Sequence, residues 1–389
     1  MSSPLESAGS TACWRIPVDK EAVLKNNIVP EKYAGEIVSE MYLKIKSDQL
    51  GKNHLLMLDI IANNNWKRPI YFSGGSNDPA EFAWLKDYLQ YDGIVYKLVP
   101  IHTPISKKNP FDMGFIDTDS AYKKIMAWDW GNSGSEDIYH DVETRTNAFS
   151  YRSSIARVTE KLIDENKVDK AEDLMDLAME KMPVDKFKLY TLVEPFVDGY
   201  YRINKPEKAR KVFNDLALMY KDHLNYYHTL PIEEQLYIAD EILTDLERYK
   251  TIIITGIENK DINIIKHEIP YYLNALKPLK ELMRRTNYGI SLDKLIEGLY
   301  KAGLKKEARE LYLLESKKVQ RNLDAASKLS EEQMYSYADQ VLMDITDYKK
   351  LLRIVDKNDD SLFFEKEKAV FDKKLDQLEA FFMTEEPQD

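Results

Sequence analysis

The sequence predicts an α+β chain that is mostly α, with a small α/β unit carrying a short parallel strand pair, followed by a solenoid of helical hairpins. Three observations carry this expectation. Two short runs rich in β-formers, "PIYFS" at 69–73 and "IVYKLV" at 94–99, flank a segment of helix length. From Tyr151 onward, apolar residues recur at helical spacing almost without interruption. Within that region, ten-residue segments repeat, each with a turn residue five positions before a helical alanine.

Composition narrows the function. A chain of 389 residues that is 44% apolar is long enough to bury the cores of two or three domains. Asp and Glu outnumber Lys and Arg by 66 to 55, and a net charge of −11 without a basic block argues against nucleic acid as a partner. The longest aliphatic run, "TIIITGI" from Thr251 to Ile257, falls far short of the roughly 20 residues that span a bilayer, so the chain as given reads as soluble. Cys13 stands alone, which excludes an internal disulfide and a cysteine-based metal site. Residues 1–13 lack the basic and apolar regions of a signal peptide and read as a tag or linker.

In the front domain, expected over 14–150, the spacing of Ile37, Met41 and Ile45, then Leu55, Leu58 and Ile61, predicts helix between Gly35 and Asn65. The pattern changes at Pro69, where the first strand starts. Asp78 and Pro79 form an N-cap and N1 pair opening a helix through Gln90. Gly93 ends that helix, and Pro100 stops the second strand. Strand, helix, strand in this order implies a right-handed crossover and a parallel pair. Gly74 and Gly75 sit where a phosphate loop would, but neither GxGxxG nor GxxxxGK[ST] is present, so the pair reads as an ordinary βα loop. Residues 102–149 read as loop-rich. Trp128 and Trp130 near Asp129 and Asp137 have the residue types of a sugar site, aromatic faces beside carboxylates, or else the tryptophans pin the loop to the core.

The helical-repeat domain is expected over 151–389. "NKVDKAEDLM", "NKPEKARKVF" and "GLKKEARELY" align on Asn166, Asn204 and Gly303 and on Ala171, Ala209 and Ala308. Asn and Gly tolerate the left-handed turn between antiparallel helices, and a small alanine lets the helices approach. With Ala178 and Pro183 in the first copy, these hairpins, near 153–183, 189–222 and 290–320, resemble degenerate tetratricopeptide repeats. "EEQLYIADEILTDLERYK" at 233–250 also matches "EEQMYSYADQVLMDITDYK" at 331–349 with one insertion, so a module of about 99 residues is expected twice, over 189–285 and 290–382. Ser330 and Gln333 form a capping box at the later long helix.

Motifs of catalysis are missing. There is no HExxH, no His pair one turn apart and no GxSxG, so the sequence predicts no metal, no cofactor and no complete active site.

Taken in order, "RIPVDKEAVLKNNIV", "MLDIIANNNWKRPIYFS", "GIVYKLVP" and "DVETRTNAFSYRSSIARVTEKLIDENKVDKAEDLMD" resemble the C-terminal soluble region of large multi-spanning bacterial membrane proteins. That family is the protein O-mannosyltransferase-like, GT-C-type glycosyltransferases, and the likeness covers residues 14–220. It implies a non-catalytic accessory domain on the periplasmic side of a bacterial inner membrane, next to its own membrane-embedded half. It also implies a protein or glycan acceptor, or partner subunits, on the helical-repeat surface. The positions that match are Asp59, Asn63, Asn65, Trp66, Arg68, Pro69 and Tyr71, then Pro100, then Arg145 and Arg152, none with an implied chemical role. Trp128 and Trp130 join them as candidate binding residues. A free-standing tetratricopeptide scaffold and a small-molecule module with its ligand at the Ser73–Asp78 loop are the competing expectations. Trp66 and Arg68 are expected to fix the α/β unit against the 128–152 segment or the first hairpin, so that Arg68→Ala lowers the melting temperature.

Overall fold

The computed structural model describes residues 11–46, 51–73, 82–103, 113–187, 192–286 and 290–383. They form a helical majority preceded by small sheets, in agreement with the expected class. The chain divides into two compact units, Met1–Ala209 and Arg210–Asp389.

In the first unit, β1 (Thr11–Pro17) starts inside the stretch read as a linker and pairs antiparallel with β2 (Glu40–Lys46), Thr11 opposite Lys46 and Pro17 opposite Glu40. Between them lies α1 (Lys20–Lys25), whose N-cap Asp19 accepts the Ala22 N–H at 3.0 Å. β2 overturns the helical reading of 37–45. Met41, Leu43 and Ile45 are buried while Tyr42 and Lys44 are exposed, which is the period of a strand. The spacing of Ile37, Met41 and Ile45 is close to one helical turn and is also a multiple of two. Leu43 decides between them. α2 (Lys52–Asn64) is helical as expected and buries Leu58 and Ile61.

The parallel pair is also overturned. β3 (Tyr71–Ser73), β4 (Leu89–Tyr91) and β5 (Val95–Leu98) form a sheet in the order β3-β5-β4, antiparallel throughout, with Tyr71 opposite Lys97 and Leu89 opposite Leu98. The helix expected up to Gln90 is a short 3₁₀ turn, Ala83–Tyr88, that runs directly into β4. Gly74, Gly75, Asp78 and Pro79 lie outside the described residues. A parallel crossover needs a dozen or more connecting residues, usually with a helix. Here Asp92–Gly93 instead turns β4 back along β5. Gly93 takes φ +85, and the Asp92 N–H reaches the Val95 carbonyl at 2.8 Å.

The segment read as loop contains α3 (Thr118–Met126), capped by Asp117. α4 (Val142–Asp164) starts ahead of Tyr151, so the boundary expected between 150 and 151 falls inside one helix. The remaining helices are α5 (Val168–Lys181), α6 (Val184–Phe187), α7 (Glu194–Arg202), α8 (Pro206–Thr229), α9 (Ile232–Tyr237), α10 (Ala239–Glu258), α11 (Ile262–Ala275), α12 (Lys280–Arg285), α13 (Asp293–Lys301), α14 (Lys305–Ala326), α15 (Glu331–Lys357) and α16 (Ser361–Met383). The division between units falls within α8. α15 opens with the capping box: Gln333 N–H to Ser330 Oγ at 3.4 Å and Ser330 N–H to Gln333 Oε1 at 3.1 Å. Among the described residues, no helix is long and apolar enough to cross a membrane.

Five helical pairs among the described residues share one turn. Asn166, Asn204, Lys260, Gly303 and Asp359 are left-handed, with φ of 57, 59, 55, 81 and 53. The residue after each returns its N–H to the preceding helix: Lys167 to Leu162 at 2.8 Å, Lys205 to Tyr200 at 2.8 Å, Asp261 to Gly256 at 2.9 Å, Leu304 to Leu299 at 2.9 Å and Asp360 to Val355 at 3.4 Å. This Schellman bond satisfies a carbonyl at the helix end and turns the chain back. Three of the five carry the Asn or Gly that sequence reading needs. Lys260 does not favour the conformation and Asp359 carries neither the Asn nor the Gly of the repeat, which is why only the structure reveals their turns.

Ion pairs brace successive turns. Glu172, which follows Ala171, binds Lys205 at 2.9 Å and Lys208 at 2.7 Å. In the second unit, Arg210 binds Asp261 at 2.6 Å, and Arg309 binds Asp360 at 2.7 and 2.5 Å.

Two outcomes follow from these turns. Lys260→Gly removes the left-handed penalty and should stabilise the chain by about 0.5–1 kcal/mol in denaturant unfolding. The Arg309 guanidinium holds the Asp360 carboxyl below its ordinary value against the effect of burial. A depressed carboxyl contributes stability above its unfolded pKa of about 4 and loses it as pH falls through the folded value. Asp360→Asn should therefore cost about 1–3 kcal/mol at neutral pH and little in acid, as read by unfolding across pH.

Candidate functional site

The segment from Asn63 to Ser73 is a helix end, a turn and a strand start. The α2 C-cap Asn65 has φ 48 and Trp66 has φ 56, and the Lys67 N–H returns to the Asn64 carbonyl at 3.1 Å. Two left-handed residues in a row are costly, the more so for a tryptophan. Two features offset that cost. Trp66 is buried and lines a small cavity with Ile28, Ile61, Ile70 and Leu98, and the Trp66 carbonyl accepts Asn26 Nδ2 at 3.0 Å. Asn64 then bridges the turn, its Nδ2 to the Arg68 carbonyl at 3.0 Å and its Oδ1 accepting the Arg68 N–H at 3.1 Å. Sequence reading singled out Asn63 and Asn65 and missed Asn64, the asparagine whose side chain closes the turn.

The other motif positions are local. Asn63 Nδ2 donates to both the carbonyl and Oδ1 of Asp59 at 2.9 Å, on the exposed side of α2. Arg68, Pro69 and Tyr71 are exposed. Arg68 therefore contributes through its backbone, and the expectation that its side chain fixes the unit against the 128–152 segment or the first hairpin is corrected. Arg145 lies in the first turn of α4, its Nε at 3.3 Å from the Asp141 carbonyl.

Arg152 is fully buried. Its Nη2 donates to the Met182 carbonyl at 2.5 Å, and its guanidinium lies 5.5 Å from the Phe187 ring centroid. Burial lowers its pKa to about 10, with the Glu194 carboxylate acting the other way. The loop before α4 docks on the same helix end. Ser133 Oγ donates to the Lys181 carbonyl at 2.9 Å, and Lys186 Nζ to the Glu136 carbonyl at 2.7 Å. At Gly134 a Cβ would stand 2.2 Å from the Glu180 carbonyl, so only glycine permits the approach. The Arg152 and Ser133 contacts satisfy carbonyls at the C-terminus of α5.

Trp128 and Trp130 do come together. Their centroids are 5.7 Å apart, and each lies against Tyr151, at 5.6 and 5.7 Å. The three rings are half-buried. Asp129 is turned back onto the Gly131 N–H at 3.0 Å, and Asp137 is exposed.

Tyr151 also opens onto a cavity of the first unit, a groove of about 1040 Å³ between the β4–β5 hairpin, α4 and α7. Ile94 and Val95 of the hairpin, Glu160 of α4 and Asp198 and Arg202 of α7 line it. Arg202 pairs with Asp164 at 2.8 Å and stands 3.9 Å from Asp198, whose carboxyl burial pushes upward. Arg157 is committed to the hairpin. Its Nη1 donates to the Tyr96 hydroxyl at 3.1 Å, its Nη2 to the Met113 carbonyl, and its guanidinium lies 4.1 Å from the Tyr91 ring centroid. The Thr159 hydroxyl is buried at the groove without a hydrogen-bond partner among the described residues. A buried hydroxyl, a half-buried carboxyl and a neighbouring aromatic cluster suit an uncharged, hydrogen-bonding ligand. Thr159, Asp198 and Arg202 had no sequence signal, because they converge from helices far apart in the chain.

A family model described as TMEM260-associated domain 2 matches residues 10–120, which includes the Asp59–Tyr71 motif and ends before the groove helices. No curated protein and no solved structure matches the chain.

Trp66→Ala should cost about 3–5 kcal/mol in denaturant unfolding, as a large buried side chain does. Asn64→Ala should cost about 1–3 kcal/mol by leaving the turn's polar groups open. Arg68→Ala should stay within about 0.5 kcal/mol, the range of exposed sites; a larger loss for Arg68 than for Asn64 would restore the side-chain role.

Proposed function

We propose that the chain is a non-catalytic accessory domain of a larger membrane protein of the glycosyltransferase-like kind, and that it holds a protein or glycan acceptor in the groove between α4 and α7. The observation that carries this is the groove itself, with its unpartnered Thr159 hydroxyl, the half-buried Asp198 carboxyl and the Trp128–Trp130–Tyr151 cluster at its side. Aromatic faces suit sugar rings or acceptor side chains, while hydroxyl and carboxyl groups take up polar hydrogens. The match to a TMEM260-associated domain supports association with a membrane protein. In this reading the domain sits on the periplasmic side of its membrane-embedded half, which carries the chemistry, and the helical pairs beyond the groove present further surface to partner subunits.

The test is binding by the isolated chain. Neutral oligosaccharides and short unglycosylated peptides, titrated in a calorimeter, should give saturable heats with one of the two classes. Asp198→Ala and Tyr151→Ala should each weaken that binding about tenfold, the equivalent of roughly 1.4 kcal/mol, without changing the circular dichroism spectrum. Equal binding by wild type and both variants would remove the groove from the proposal. Turnover of a glycosyl donor by the isolated chain would overturn the non-catalytic reading.

A further inference from the structure

Two stretches of the second unit stand 99 residues apart and keep the same anionic and aromatic residues. Arg210–Asp261 corresponds to Arg309–Asp360, Tyr249 to Tyr348, Glu268 to Glu367 and Asp245 to Asp344. Apart from the arginine, the basic residues are not kept. In the first stretch Lys221 Nζ binds Glu268 at 2.8 Å, and the Tyr249 hydroxyl donates to the same carboxylate. His223 Nδ1 stands 2.8 Å from Asp245. In the second stretch both cations have become amides, Gln320 and Asn322.

The amides do not replace them electrically. Gln320 Nε2 donates to the Tyr348 hydroxyl at 2.7 Å rather than to Glu367. Glu367 is 3% exposed and has no hydrogen bond or ion pair among the described residues. The groups facing it are Tyr312 and Lys317 from α14, Tyr348 from α15 and Lys366 on its own helix, and both lysines are exposed. Asp344, 7% exposed, accepts Asn322 Nδ2 at 3.2 Å and Gln340 Nε2 at 3.5 Å. Asp347 beside it is a like charge, and Lys318 of α14 is the cation that faces it. A buried carboxylate without a cation is costly, and the group avoids the cost by holding its proton. Burial accordingly raises both carboxyls, with Lys366 and Lys317 opposing at Glu367 and the two amides opposing at Asp344.

We propose that α14, α15 and α16 form a proton-responsive joint, in which Glu367 and Asp344 are neutral when the three helices are closed and loosen the packing when they ionise. A folded-state carboxyl above its unfolded value of about 4 contributes stability that is fully present below that value and is lost as pH rises through the folded one. In the first stretch Lys221 stands on the corresponding carboxylate, Glu268.

The experiment is hydrogen exchange of α16 amides in the full chain between about pH 4 and about pH 7, corrected for intrinsic exchange, with carbon NMR titration of the Glu and Asp carboxyls. Protection of α16 should fall as pH rises, and Glu367 should titrate above the range of an ordinary glutamate. Gln320→Lys, which rebuilds the Lys221 arrangement, should flatten that loss, and Lys221→Gln should create one in α11. If Gln320→Lys does not fold, the isosteric Glu367→Gln decides, since it removes the proton and keeps the shape. Titration of Glu367 at or below the ordinary range overturns the proposal, as does an α16 protection profile that Glu367→Gln leaves unchanged.

Discussion

Five of the helical pairs among the described residues depend on placing one residue in the left-handed region at the end of the first helix. The conformation costs an L-residue roughly 1–2 kcal/mol, and what offsets it is a backbone bond that reuses an otherwise open carbonyl. Asn166, Asn204 and Gly303 meet the demand by residue type. Lys260 and Asp359 meet it because the following acids, Asp261 and Asp360, are held by Arg210 and Arg309. The ion pair and the turn thus act together. The pair fixes the residue after the turn, so a strained residue is tolerated before it.

The first unit uses the same left-handed device at the end of α2, where Asn65 and Trp66 turn the chain into β3. There the offset is apolar. Trp66 is buried beside Ile61 of α2 and Leu98 of the sheet, around one small cavity, and Asn64 bridges the turn. The sheet that results is a platform with a hairpin tip, and Arg157 ties that tip to α4 through the Tyr91 and Tyr96 rings. The groove is the space left beside this tie. Its existence is therefore a consequence of an antiparallel hairpin, which a parallel crossover would not have produced.

Buried charges divide into two kinds. Arg152 is held by a carbonyl at the end of α5 and the face of Phe187, so its burial secures a helix end. Glu268 is held by Lys221, whereas Glu367 at the equivalent position is not held by a cation. The same backbone scaffold supports both states, because the aromatic and aliphatic packing around them carries the bulk of the folding energy.

By itself, the sequence determined the class of the chain, the helical character of the residues from Tyr151 onward, the three turns with permissive residues and the capping box at Ser330. Each is local chemistry: a period, a turn residue or a cap acts within one or two helical turns. The strand at 40–46 was hidden because a spacing of four fits two periods, and the hairpin at Asp92–Gly93 because a proline-started helix was expected to continue to Gln90. Only the tertiary structure decided that the strands pair antiparallel, that Asn64 rather than Arg68 closes the turn, and that Tyr151, Thr159 and Asp198 share one groove. Those are facts of convergence. Which distant surfaces meet depends on how whole faces pack, and no window of neighbouring residues contains that information.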